Sequence, residues 1–521
     1  MHLNYPDMVL CWTDNGQIKE GIGVEFETTH DSLKVFISSP DKAVSIVKLR
    51  WNVSVSSEVK VLGDAWERGY GDLEWRCIVP DRYMPWYFFL YNQKTAAVDG
   101  CGVETGCASF CSWQVDPQGI TLNIDIRSGG LGVKLGARTL QAATIRFFSS
   151  SQQESLFTFA HRFCRALCSV PRLPNHTVYG GNDWYYAYGN SSDQTIRRDA
   201  ELIRDLSPNR NNAPYMVIDG GWFPAKGCDG GPYDRGNDRF PDMPALAQWM
   251  KSQEVRPGIW IRPLLSSEAP AKWCFPADHP ITHRQHGSVL DPSIPEVISH
   301  VKDDIVRLRE WGYELIKHDF STYDITGLWG FEMHEGLVTP SGWTFADNTR
   351  TTAEIVLDFY TAIREAAGDS VLIGCNTVGH LGAGLFELQR TGDDTSGRVW
   401  ERTRKMGVNT LAFRMCQHNT FFAADADCVG ITEKVDWNLN RQWLDLLAKS
   451  GTPLFVSADP AAVGTDQKIA LKEAFDHASY PHQSAEPEDW LETTCPVKWN
   501  FKNELVSYKW IPTEGISALE G

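Results

Sequence analysis

PGIWI (257–261), then an apolar spacing at Val297, Val301, Ile305 and Leu308, then YELI (313–316) is the stretch that decides the fold. A run of five apolar residues has strand length. The four spaced positions fall on one face of a helix, and the next short run is a strand again. Strand, helix, strand reads as two parallel strands joined by a helical crossover. The alternation continues outward. Upstream lie Val178, just before Gly180, and YMVI (215–218), which is followed by Met243, Leu246, Ala247 and Met250. Downstream, Ile355, Phe359 and Ile363 lead into VLI (371–373), LFEL (385–388), FFAA (421–424) and PLFV (453–456). Eight candidate strands within about 285 residues favour a closed (β/α)8 TIM-type barrel over an open sheet.

The chain has 521 residues, too many for one ordinary core, so the barrel needs neighbours. Residues 1–150 alternate with period two in IGVEFE (22–27), LKVFI (33–37), AVSIVKL (43–49), WYFFLY (86–91) and GITLNIDI (119–126), separated by turn residues. That pattern reads as an N-terminal β-sandwich. Residues 151–171 read as a linker or helix, 172–465 as the barrel, and 466–521 as a short β-rich C-terminal extension.

Lys plus Arg number 49 and Asp plus Glu 66, a net charge of −17, which argues against binding a phosphate backbone. No run approaches the ~18 apolar residues of a membrane helix. The 13 cysteines include no CxxC pair, and Cys101, Cys107 and Cys111 have no histidine at zinc spacing beside them. Free thiols are expected, with no metal or other cofactor. Residues 1–7 carry neither a basic nor an apolar region. A cytoplasmic location, or a periplasmic or secreted one after loss of a signal, both stay open, and a homo-oligomer is admitted. The 20 tryptophans suit a pocket in which flat sugar rings stack on indoles.

Chemistry in such a barrel sits at the C-terminal strand ends. There the sequence offers Trp184, Asp219, Trp222, Trp260, Arg262, Lys317, Asp319, Cys375, Asn376, Arg390, Asp393, Asp394, Asp425 and Asp427. Glycoside hydrolysis needs two carboxyl groups flanking the scissile bond. Lys317 and Asp319 fall on the same face of one strand, so a cation keeps Asp319 ionised as a nucleophile. Asp393 and Asp394 are adjacent and should raise each other's pKa, which suits a general acid. Asp219, Arg390, Trp222 and Trp260 are expected to hold hydroxyls and stack on the ring.

These segments resemble glycoside hydrolase family 36 of clan D, the α-galactosidases, and more distantly family 27. GYELIKHDF (312–320) is similar to that family's nucleophile strand, and RTGDDT (390–395) to its acid/base segment. An arginine four residues ahead of the acid selects Asp394; alignment on the Gly-Asp step selects Asp393. Gly374-Cys375 looks like the family's strand-five end, and Asp425-Ala-Asp427-Cys428 like its strand-seven segment. The segment with Asp64 and Trp66 is similar to the loop that the family's sandwich sends into the barrel mouth. The resemblance implies a retaining exo-α-glycosidase acting on oligosaccharides or glycosides, α-galactosides first among them, with Asp319 as nucleophile and Asp394 as acid/base. Two departures leave the sugar open. Gly220 stands where the family has a second aspartate for O4 and O6 of galactose, and Arg262 stands where relatives carry a small residue. Arg262 could recognise an anionic or hydroxyl-rich substituent, or could pair with a rim acid. The loop 226–231 is also long. A different specificity, a transglycosylase similar to plant raffinose synthases, and an inactive sugar-binding protein are the alternatives.

Overall fold

The computed structural model describes residues 5–511, apart from 30, 152, 225–228, 282–286, 334–337, 483 and 503. Residues 226–228 of the long loop therefore lie outside the described residues.

The first part of the chain folds into two antiparallel six-stranded sheets. Period-two burial builds them. In Ser32–Ser38 the residues Leu33, Val35 and Ile37 are buried, and in Ile46–Trp51 so are Val47, Leu49 and Trp51. Strands outside the five expected runs, such as Val98–Val103 and Phe110–Asp116, are buried on nearly every position and so hide the alternation. The helix Leu156–Leu167 then packs on the strand Val98–Val103 and on the short helical turn Met415–Gln417.

A nine-segment parallel sheet follows, matching a TIM-type domain. Its first six strands are Tyr179–Asn182, Tyr215–Ile218, Arg256–Ile261, Leu315–His318, Val371–Gly374 and Leu388–Arg390. The seventh is split into Ala423–Asp425, which pairs with the sixth, and Cys428–Ile431, which pairs with the eighth, Leu454–Ala458. The eighth pairs back onto the first. The split falls at Asp427, whose φ of 72° lies in the left-handed region that ends a strand. Gly180 lets the first strand lie close to the second: a Cβ there would stand 1.9 Å from the Tyr215 carbonyl oxygen.

The helices Met243–Ser252, Pro295–Glu310 and Thr352–Ala367 bury the residues their spacing predicts. The fourth strand starts two residues later than its apolar run; the Tyr313 hydroxyl reaches the helix Met243–Ser252, donating to the Met243 carbonyl at 3.3 Å. The last crossover helix, Thr465–Ala478, occupies the start of the segment read as a β-rich extension. It buries mainly small residues (Ala470, Ala474, Ala478) beside Leu471 and Phe475, so its apolar stripe is thin in the sequence. A three-stranded sheet, Glu486–Pro487, Lys498–Phe501 and Glu504–Ser507, comes after it. No helix among the described residues is long and apolar enough to cross a membrane, and every described cysteine is free.

Candidate active site

Asp319 immediately follows the fourth strand and is 8% exposed. Three N–H groups converge on it. The Trp260 indole Nε1 donates to Oδ2 at 2.9 Å, and the backbone N–H groups of Phe320 and Asn376 donate to Oδ1 at 2.8 and 3.1 Å. Phe320 adopts φ 65°, an uncommon conformation for a bulky residue, in the turn where its N–H meets Asp319. Burial pushes the Asp319 carboxyl up, but the charges of Lys317 and Arg68 and the indole hydrogen bond outweigh it and hold the group below its ordinary value.

Lys317 reaches across to Asp219 rather than bonding Asp319 directly, with Nζ 2.7 Å from Oδ2. The Asn182 amide donates to the same oxygen at 2.8 Å. Behind them, Asp183 accepts the Asp219 backbone N–H at 2.7 Å. Burial and the Asp219 charge push Asp183 up to about 7. Gly220 follows Asp219; a Cβ on it would meet Trp260 at 3.7 Å and Trp184 at 3.8 Å, so two indoles flank that position.

The strand-six acids sit among arginines. Asp394 Oδ1 lies 3.2 Å from Arg390 and 3.9 Å from Arg68, and its side chain is 37% exposed. Asp393 pairs with Arg68 at 3.1 Å and with Arg402 at 2.6 Å. The expectation that the adjacent pair raises its own pKa is overturned for Asp394. Burial pushes it up, but Arg390, Arg68, Lys317 and Arg402 together hold it below the ordinary carboxylate range. Arg390 also binds Asp427 at 2.9 Å and the Cys375 sulfur at 3.3 Å. Asp427 further accepts from the Tyr185 hydroxyl and from the Thr395 backbone N–H. Asp425, ending the split strand, is pushed up to about 6 by burial, against the pull of Arg390.

Asp319, Asp394, Asp393, Asp219, Lys317, Arg390, Cys375, Asn376, Trp260 and Trp184 are thus gathered at one mouth. Four other expected site residues are not. Arg262 is 2% exposed and gives its guanidinium fork to Asp324, at 2.9 and 2.5 Å, which leaves no free fork for a ligand. Trp222 is fully buried, donating to the Trp260 carbonyl and packing on Phe223 and Tyr233. Trp66 packs on Trp86 and Phe110 in the core. Asp64 is held by Arg414 at 2.7 Å and Gln417 at 2.8 Å, tying the sandwich to the barrel.

The same loop delivers its next two residues instead. Glu67 is buried, accepts from the side chain of Asn376 and the hydroxyl of Tyr70, and receives the Gly330 N–H at 2.9 Å. Arg68 lies on the strand-six acids and over the rings of Trp329 and Tyr70. The sequence signal for them was the loop segment itself, which reaches the mouth three residues beyond Asp64.

No protein-family model and no curated protein matches the chain. Solved structures do. An α-galactosidase of Thermus thermophilus, in complex with p-nitrophenyl α-D-galactopyranoside, is 15% identical, with 98% of each chain covered and a TM-score of 0.64. A family 36 α-galactosidase variant of Geobacillus stearothermophilus, in complex with 1-deoxygalactonojirimycin, is 13% identical over 91% of this chain and 77% of that one, with a TM-score of 0.58. An α-galactosidase of Lactobacillus brevis is 12% identical over 90% and 72%, with a TM-score of 0.56. Along nearly its whole length, the chain has the fold of the family 36 α-galactosidases.

Proposed function

We propose that this protein is a retaining exo-α-glycosidase, with α-galactosides as its foremost substrates. The observation that carries the reading is the pair of unlike carboxylates at one mouth. Asp319 is buried, ionised and oriented by three N–H donors; Asp394 is more open and close enough for its charge to act on Asp319. Asp319 attacks the anomeric carbon as the glycosidic C–O bond breaks, and the leaving oxygen takes a proton from the protonated form of Asp394, which the surrounding cations make scarce at neutral pH and which therefore sets the alkaline limit of the reaction. Asp394, now a carboxylate, removes a proton from water whose oxygen attacks the same carbon and frees Asp319. Two inversions give net retention. Asp219 and Lys317 are the groups assigned to hold sugar hydroxyls, and Trp184 and Trp260, which flank Gly220, those assigned to stack on the ring. The known fold adds to this reading, because a protein sharing it is seen in complex with p-nitrophenyl α-D-galactopyranoside.

Wild-type enzyme assayed with nitrophenyl α-galactoside, α-glucoside, α-N-acetylgalactosaminide and β-L-arabinopyranoside tests the activity. NMR of the first-formed product anomer tests retention. Hydrolysis of none of the four, or a first product of inverted configuration, removes the reading. The sugar is probed by Gly220→Asp. The position has room for a Cβ, and a second carboxylate there adds a charge-assisted hydrogen bond of about 1.5–3 kcal/mol. Relative kcat/KM for galactoside is expected to rise about tenfold or more.

A further inference from the structure

The sandwich domain contributes a charged residue to the acid/base group. Gly69 forms a parallel bridge with Gly392: its N–H donates to the Thr391 carbonyl at 2.9 Å, and the Asp393 N–H donates to the Gly69 carbonyl at 3.0 Å. The loop therefore adds backbone to the end of the sixth strand, immediately before Asp394. A Cβ on Gly69 would stand 2.9 Å from Thr410, so this close approach favours glycine. The bridge fixes Arg68, whose side chain is 4% exposed, with its fork on Asp393 and Asp394 and its plane against Trp329 and Tyr70. Glu67, next in the chain, is locked to Asn376 and Gly330.

We propose that Arg68 is a positioning residue that sets the proton affinity of Asp394, so that the alkaline limit of proton donation in the barrel is fixed from the other domain. The inference rests on the hydrolytic reading above and deepens it. The charged groups around Asp394 come from several elements. Arg390 belongs to the sixth strand and is shared with Asp427; Lys317 belongs to the fourth and is bonded to Asp219; Arg402, on the helix Trp400–Thr403, is bonded to Asp393. Asp319 and the Tyr185 phenol complete the set. Of the cations, Arg68 alone comes from the sandwich. A buried guanidinium beside a carboxylate favours the ionised form, so removing it lets Asp394 keep its proton to higher pH.

The test is kcat/KM against pH for wild type, Arg68→Gln and Arg68→Lys, with two glycosides of one sugar. A disaccharide needs protonation of its leaving oxygen; a dinitrophenyl glycoside needs little. In Arg68→Gln the alkaline limb for the disaccharide is expected to move up by about one pH unit. The dinitrophenyl glycoside should show a much smaller change, and Arg68→Lys should keep the wild-type limb. An unmoved limb in folded Arg68→Gln, or an equal loss on both glycosides, overturns the proposal. Should Arg68→Gln fail to fold, Arg68→Met, which keeps aliphatic packing against Trp329 and Tyr70 without the charge, takes its place: a limb raised by about one unit supports the role of the charge, and an unmoved limb overturns it. If wild type turns over neither glycoside, the hydrolytic reading itself falls, and this inference falls with it.

Discussion

The two carboxylates at the mouth are held in opposite ways. Asp319 is enclosed, with both oxygens occupied by N–H donors whose positions are fixed by backbone and indole. Asp394 is open on one side and is held by long arginine side chains from two domains. A group that must attack along one line profits from rigid donors. In the proposed mechanism, a group that must gain and lose a proton profits from access and from neighbouring charges that set its proton affinity.

The largest expected effect breaks the comparison at its fixed end. Asp319→Ala should lower turnover by ~10³-fold or more, measured with an aryl glycoside. Turnover unchanged in that variant would remove Asp319 from the role. At the open end, Asp394→Asn should lower kcat/KM for an unactivated disaccharide by ~10²–10⁴-fold. Asp393→Asn should cost less than about tenfold, because Asp393 is already taken up by Arg68 and Arg402. Equal losses in both variants would mean that the two acids share the role.

Arg262→Met probes a polar pair that is structural. It leaves the fully buried Asp324 without its partner and should lower stability by about 3–5 kcal/mol, read from thermal unfolding. Arg262→Met with Asp324→Leu should recover much of that. A large change in sugar preference with unchanged stability would return Arg262 to the binding site. An effect smaller than the loss of either catalytic carboxylate sharpens the fixed end. Trp260→Phe removes one donor to Asp319 and should cost about tenfold to a hundredfold in kcat/KM. The sign of its pH effect follows from Asp319 being held below the ordinary value, ~3.9. On the proposed mechanism, the ionised nucleophile is lost only as pH falls through that depressed pKa. The variant raises the pKa, so the acid limb should move to higher pH; a limb that moves down contradicts the assignment.

The barrel was legible because its strands are short apolar runs and its crossover helices carry spaced apolar faces. The residues at strand ends followed from that count, which is how Asp219, Lys317, Asp319, Arg390 and the pair Asp393 and Asp394 could be named from sequence, while the preference for Asp394 within the pair came from the family resemblance. What the sequence hid is long-range. Glu67 and Arg68 lie in a loop without periodicity, and nothing local separates them from Asp64, three residues earlier, which ties domains together instead. The tryptophans misled for a related reason. Trp66 and Trp222 sit in loop segments that suggest a rim, but their bulk fills core, and only coordinates separate a buried indole from one that borders a pocket. Arg262 stayed open in the sequence between a ligand group and an ion pair with a rim acid, because its partner, Asp324, lies on the next helical turn after the fourth strand, where no strand-end rule points.

The bridge between Gly69 and Gly392 also bears on how the protein matures. Synthesis runs from the N-terminus, so Glu67 and Arg68 leave the ribosome more than three hundred residues before the strand-six acids. A guanidinium cannot be buried cheaply without its counter-charge. The sandwich can therefore condense early on antiparallel pairing within its own first 150 residues, while this loop waits for the barrel to bring Asp393 and Asp394 into reach. Closing so long a chain segment is a late, high-contact-order event. Competence for chemistry should then appear after most secondary structure has formed, and the two domains should be inseparable by truncation even though each has its own sheet.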